Sequence, residues 1–263
     1  MRYAKRGRLR FSSHRDFQRA LERALRRAAV PMAYSAGFNP HPRISYAGAA
    51  PTGAASEAEY VELALTRRWD PERLRRELDA ALPPGLDVVE MVEAGAGALA
   101  DRLQASRWRI ELPGTSDDEA ADAVRTYLAA DRVEVERLMK AGPRRFDTRG
   151  AVVRLEVVLR EAVLREAVRQ EAAGTAGART GVTNEVTHGV AQGELGSCAI
   201  LHLVVRHTTP AVRPDDVLAG LRSQAHLAPL SPPRMTRLAQ GPLDEESGTV
   251  ADPLAADRDV VGA

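Results

Sequence analysis

Two short stretches of this chain concentrate side chains able to recognise or act on a nucleic acid. "SSHRD" at residues 12–16 places His14 at a helix start. "YSAGFNPHPRISYA" at residues 34–47 gathers Tyr34, Phe38, Asn39, His41, Arg43 and Tyr46 in and beside one loop. Histidine titrates near neutral pH, so His14 and His41 are candidate acid–base groups for cleaving RNA at a 2′-hydroxyl. Recognition is the alternative chemistry. At a helix start His14 can act as a cap, or touch a base or phosphate beside free backbone N–H groups. In the loop, Pro40 and Pro42 fix their own φ and hold the residues before them extended, while Gly37 can supply a positive φ. A plain rigid turn would pack Phe38 inward and would have no use for Asn39, His41 and Arg43. Polar groups on a proline-stiffened frame suit recognition. A helix of about 17 residues between the motifs spans roughly 25 Å, which separates His14 from Tyr34 unless the loop folds back.

Charge points the same way. Residues 1–50 hold eleven Lys/Arg against two Asp/Glu, a local balance of +9, whereas the whole chain sums to +1. A basic face on an otherwise acidic protein suits an anionic partner, although a run of charge is also what a solvated helix looks like. Arg8, Arg10, Arg19, Arg23, Arg27 and Arg43 are the candidate phosphate contacts. Tyr34, Phe38 and Tyr46 are available to stack on bases.

The elements that must position these groups are legible in the periodicity. "RGRLRF" alternates basic and apolar residues, which predicts a half-buried strand. Ser12 or Ser13 then caps a helix with Phe17, Ala20, Leu21, Ala24, Leu25 and Ala28 on one stripe, and Pro31 stops it. Strands follow near 43–47 and through "EYVELAL". A helix with Asp70 as cap and Pro71 at its first position comes next, and then "LDVVEMVEA" as a strand. The order β-α-β-β-α-β over residues 2–93 predicts a ferredoxin-like half. The pattern starts again at "SRWRIELP". The fold class is therefore α+β with two ferredoxin-like halves in tandem: residues 1–94, a linker over 95–105, and residues 106–242. A Gly/Thr/Ala-rich insertion interrupts the second half at about 161–197, and an acidic tail over 243–263 is expected to be disordered.

Several classes are excluded. One cysteine, Cys198, rules out an internal disulfide framework and a multi-cysteine metal cluster, and the histidines lack metal-ligand spacing, so no metal site is expected. No apolar run reaches the roughly 18 residues of a membrane span, and the basic N-terminus lacks a secretory h-region. The expectation is a cytoplasmic protein with no membrane partner.

Residues 5–65 resemble the bacterial radical-SAM-linked proteins, a domain family of unknown function. The resemblance is carried by "KRGRLRF", "SHRD", "RALRRA", the "PMAYSAGFNPHP" loop and "SEAEY", with "KAGPRRFDTRG" and "RPDDVL" as looser landmarks further on. It implies a radical SAM protein as partner, fused or encoded alongside. The iron–sulfur cluster and S-adenosylmethionine would sit on that partner and no cofactor in this chain. It also implies an accessory role in RNA modification or processing, possibly of tRNA. Three readings follow: an RNA-binding or substrate-presenting module, a metal-independent RNA-processing or transferase enzyme using His14 and His41, and a scaffold that docks the partner.

Overall fold

A computed structural model of the chain describes residues 1–139, 142–158 and 197–258. Strand β1 (Arg2–Lys5) is mostly buried, and the chain leaves the sheet directly after it. The Arg6 N–H makes a last bond to the Gly85 carbonyl at 2.8 Å, and Gly7 then turns with φ +53°. Residues Gly7–Phe11 wind into a 3-10 turn, not the strand expected from "RGRLRF". The alternating pattern serves that turn instead: Leu9 packs toward the core while Arg8 and Phe11 face solvent.

Helix α1 (His14–Arg27) is fixed at its start by a capping box. The Ser13 hydroxyl accepts from the Asp16 N–H, and the Asp16 carboxylate accepts from the Ser13 N–H. Its buried stripe of Phe17, Ala20, Leu21, Ala24 and Leu25 is the one the sequence predicts. Strands β2 (Ile44–Ala47) and β3 (Ala55–Leu63) follow, then helix α2 (Pro71–Ala81), whose Asp70 cap accepts from Glu72 and Arg73, and strand β4 (Leu86–Glu90). The strands lie in the order β4-β1-β3-β2, every pair antiparallel. Both helices pack on one face, over Tyr3, Val61 and Val88.

A short helix α3 (Leu99–Arg102) leads to β5 (Ala105–Pro113) and helix α4 (Asp117–Ala129). Strands β6 (Glu134–Met139) and β7 (Gly142–Asp147) form a separate hairpin. Strands β8 (Val152–Val157) and β9 (Cys198–Arg206), helix α5 (Pro214–Ala225) and strand β10 (Arg234–Gly241) complete the second half, in the antiparallel order β10-β5-β9-β8. Strand β10 also runs parallel to β3, pairing Thr236 with Ala55 and Arg237 with Ser56. The result is a mixed α/β structure on one eight-stranded mixed sheet. The insertion expected at about 161–197 lies, apart from Ser197, outside the described residues.

The acidic tail departs from expectation. Residues 243–258 are folded, with a hairpin of β11 (Leu243–Asp244) and β12 (Thr249–Val250) and a helical turn α6 (Ala255–Arg258). Leu254 is buried with Ala58, Tyr60, Leu99 and Leu103 against the sheet face opposite α1 and α2. The tail's acids are not spent on solvation: Asp257 accepts from Arg102 at 2.8 Å and from the Gly95 N–H at 3.0 Å. Arg258 pairs with Glu90 at 2.5 Å and with Asp252. Acid content reads as disorder only when its basic partners are far away in sequence.

Candidate nucleic-acid interface

Helix α1 exposes Arg15, Arg19 and Arg23, and none of them has a close ion pair among the described residues. Arg8 and Arg43 are likewise exposed and free of one. Arg26 lies 3.9 Å from Glu22, a loose contact at the surface. Arg27 is engaged: it donates to the Ala81 carbonyl at 3.2 Å and so closes the end of α2. Arg10 lies with its guanidinium 4.6 Å over the Phe11 ring.

The loop between α1 and β2 is locked at its base. The Arg43 N–H donates to the Ala33 carbonyl at 2.8 Å, and Tyr34 bridges Pro42. Ser35 and His41 are joined twice, the Ser35 N–H to the His41 carbonyl at 2.9 Å and the His41 N–H to the Ser35 hydroxyl at 3.0 Å. Beyond that clamp the tip turns through Gly37 at φ +120°. Phe38 is fully exposed at the tip, at 107%, so it is not the inward anchor of an ordinary turn. Tyr34 is half exposed, and Asn39 and His41 face solvent.

His14 meets a different member of the set. Its ring lies edge-on to Tyr46 with centroids 4.9 Å apart, and its Nε2 is 3.1 Å from the Gln18 amide nitrogen. Tyr46 also packs edge-on to Phe17. Burial, with the Glu22 carboxylate nearby, pushes the Tyr46 phenol up to about 12, so it stays protonated at neutral pH. Since β1 and β2 are parallel to one another, α1 runs back along them. His14 therefore sits where β2 ends, and the loop sits where β2 begins. Five residues of extended chain separate Tyr46 from His41, about 16 Å. The structure brings His14 to Tyr46 and leaves His41 at the other end of the strand, so the two histidines do not form an acid–base pair.

Sequence reasoning missed a buried polar cluster where the two halves join. Arg237 donates to Glu59, to the Gly48 carbonyl at 2.6 Å, to the Gln240 amide oxygen at 3.0 Å and to the Ser56 hydroxyl at 3.3 Å. Glu59 accepts as well from the Ala50 N–H at 3.2 Å, and Lys5 donates to the carbonyls of Ala50 and Pro51. Burial pushes the Lys5 ammonium below its ordinary range. Gly48 has φ +56°, and a Cβ there would run into the Gln240 side chain. The signal was present: Glu59 sits between Glu57 and Val61 on the core-facing parity of β3, where an acid needs a buried partner. That partner lies 178 residues away.

The family comparison matches residues 1–214 to the model described as "Uncharacterized protein conserved in bacteria (DUF2344)". The chain belongs to the DUF2344 family. No curated protein matches it. In this DUF2344 chain the matched region spans the 3-10 turn, α1, the locked loop and the first nine strands, and it ends at the first residue of α5. The two later sequence landmarks prove to be positioning devices. Asp147 accepts from the backbone N–H groups of Val133, Arg149 and Gly150 at 2.9, 3.0 and 3.0 Å, which fixes the turn after β7. Asp216 accepts from the Arg213 N–H at 2.7 Å and from Arg137 at 2.6 Å, which ties α5 to the β6–β7 hairpin. Among the described residues no helix is long and apolar enough to cross a membrane.

Proposed function

We propose that this DUF2344 chain is an accessory RNA-binding or substrate-presenting module that acts with a radical SAM enzyme in RNA modification or processing, tRNA being one candidate substrate. The two four-stranded halves are read as ferredoxin-like units, the second carrying the β6–β7 hairpin as an addition. The observation that carries the proposal is the free state of the arginines on α1. Arg15, Arg19 and Arg23 are exposed and lack close ion pairs among the described residues, and the hydrogen-bonded loop that follows α1 holds Phe38 out in solvent. Unpaired guanidinium groups along one helix face suit a phosphate backbone, and an exposed aromatic on a stiff loop suits an unstacked base. The wide separation of His14 and His41 favours this reading over an enzyme built on that pair.

Binding of a structured RNA such as tRNA tests it. Affinity is expected to fall steeply and linearly on a log–log plot as salt rises. No binding at low salt would sink it. The exposure of Phe38 also supports a second reading, in which the loop tip docks the radical SAM protein. In that case Phe38→Ala abolishes co-purification with the partner, and there is no RNA affinity to lose.

A further inference from the structure

A second cationic feature lies where the two halves meet, and it takes in the turn just before α1. A cleft of about 500 Å³ is lined by Arg10 and Phe11 from the turn after β1, by Arg109 and Glu111 on β5, by Arg234 on β10 and by Asp215 at the start of α5. On β5 the residues Trp108, Ile110 and Leu112 point into the core beneath α4 and α5. Strand alternation therefore sends Arg109 and Glu111 to the opposite face of the sheet. Cross-strand pairing sets Arg234 opposite Glu111, and Thr236 opposite Arg109.

The charges in this cleft do not close. Glu111 is shared between Arg109 at 3.5 Å and Arg234 at 3.3 Å. Asp215 is pushed above its ordinary range by burial and then by neighbouring Asp216. Three guanidinium groups thus face two carboxylates. The Arg109 Nε is buried and has no hydrogen-bond partner among the described residues. A buried donor left unmade is costly, and an anion is the natural partner for it. At the mouth, Phe11 is 60% exposed, with Arg10 stacked on it. An exposed aromatic ring beside a cationic cavity offers a stacking surface to a planar group such as a base.

We infer that this cleft binds one nucleotide unit, with the base on Phe11 and the phosphate on Arg109 and Arg234. The site uses none of the α1 or loop arginines, so it stands or falls separately from the RNA-backbone reading above.

The test is calorimetric titration of the full chain with adenosine 5′-monophosphate, adenosine and inorganic phosphate. The nucleotide is expected to bind at about millimolar concentration or tighter, and each fragment at least about tenfold more weakly. Arg234→Gln is expected to weaken nucleotide binding about tenfold, as is Arg109→Gln, and Phe11→Ala is expected to reduce it to the level of phosphate alone. Arg234 is 61% exposed in its side chain, so its variant reads the site even if Arg109→Gln perturbs folding. Arg19→Glu with Arg23→Glu should leave nucleotide binding unchanged while binding of structured RNA weakens about a hundredfold at low salt. The inference is overturned if the nucleotide fails to bind at about 10 mM, or binds no better than phosphate, or is indifferent to Arg234→Gln and Phe11→Ala.

Discussion

Helices α1 and α2 lie side by side on the same face of the first half, and both are rich in arginine. On α2 the arginines are spoken for. Arg73 reaches Glu77 at 2.7 Å, Arg75 reaches Glu72 at 2.8 Å, and Arg76 reaches Glu72 at 3.5 Å. On α1 the single such contact among the described residues is Arg26 with Glu22 at 3.9 Å. Each helix buries its own apolar stripe, so packing does not explain the difference. What differs is the acid count: α2 carries Glu72, Glu77 and Asp79 for three arginines, and α1 carries Asp16 and Glu22 for five. A balanced helix keeps its charge for itself, whereas an unbalanced one leaves it for a partner.

The sharpest form of that contrast comes from Arg237, whose charge is wholly internal. Arg237→Ala strands Glu59 in the core and is expected to cost about 3–5 kcal/mol in urea unfolding. Arg19→Ala with Arg23→Ala is expected to leave stability within about 0.5 kcal/mol of the parent. Equal losses in the two would break the distinction between charge the fold uses and charge it leaves free.

The next effect is on binding. Reversing Arg19 and Arg23 to Glu is expected to weaken binding of structured RNA by about a hundredfold at low salt. Reversing Arg73 and Arg76 on α2 is expected to change it by less than about threefold. Filter binding at one fixed low salt distinguishes the two.

A smaller effect concerns how α1 is held in place to offer its charge. Ser13→Ala removes the cap and is expected to cost about 1 kcal/mol in thermal unfolding. The Ser13 hydroxyl, followed by its N–H, also holds the Asp16 carboxyl below its ordinary range. A depressed carboxyl contributes stability that is complete above its unfolded-state pKa and is lost as pH falls through the folded one. Between about pH 5 and pH 2, Ser13→Ala should therefore unfold with a shallower pH dependence than the parent. An unchanged acid profile would mean that the cap contributes nothing there. The smallest expected change is Glu72→Gln on α2, which weakens two exposed ion pairs and should lower stability by less than Ser13→Ala does.

The same comparison explains how far the sequence could be read. Local helix signals were reliable: the Ser13 cap, the Asp70 cap with Pro71, and the apolar stripe of α1 lie where the sequence puts them, whereas the short alternation of "RGRLRF" misled because a 3-10 turn uses it equally well. The excess of arginine on α1 was equally local, because its acids are missing from the same helix. Signals that depend on distant residues were not legible. The Arg237 contact to Glu59 and the burial of Leu254 beside Leu99 bring together parts of the chain that no window sees at once. The tail was misread for that reason, since its acids find Arg102 and its arginine finds Glu90 far away in sequence. In the site, the motif residues were visible but their company was not. Phe38 stands in solvent, where a plain rigid turn would have packed it inward, and His14, considered as a partner for His41, lies on Tyr46.

The most direct test of the central claim is the salt dependence of RNA binding, measured on the parent chain and on the two charge-reversal pairs. The α1 face predicts a steep linear fall of log affinity with log salt for the parent and for the Arg73/Arg76 variant, and a slope shallower by about two for the Arg19/Arg23 variant. No RNA binding by the parent at low salt, or the same loss of slope in both variants, would contradict it.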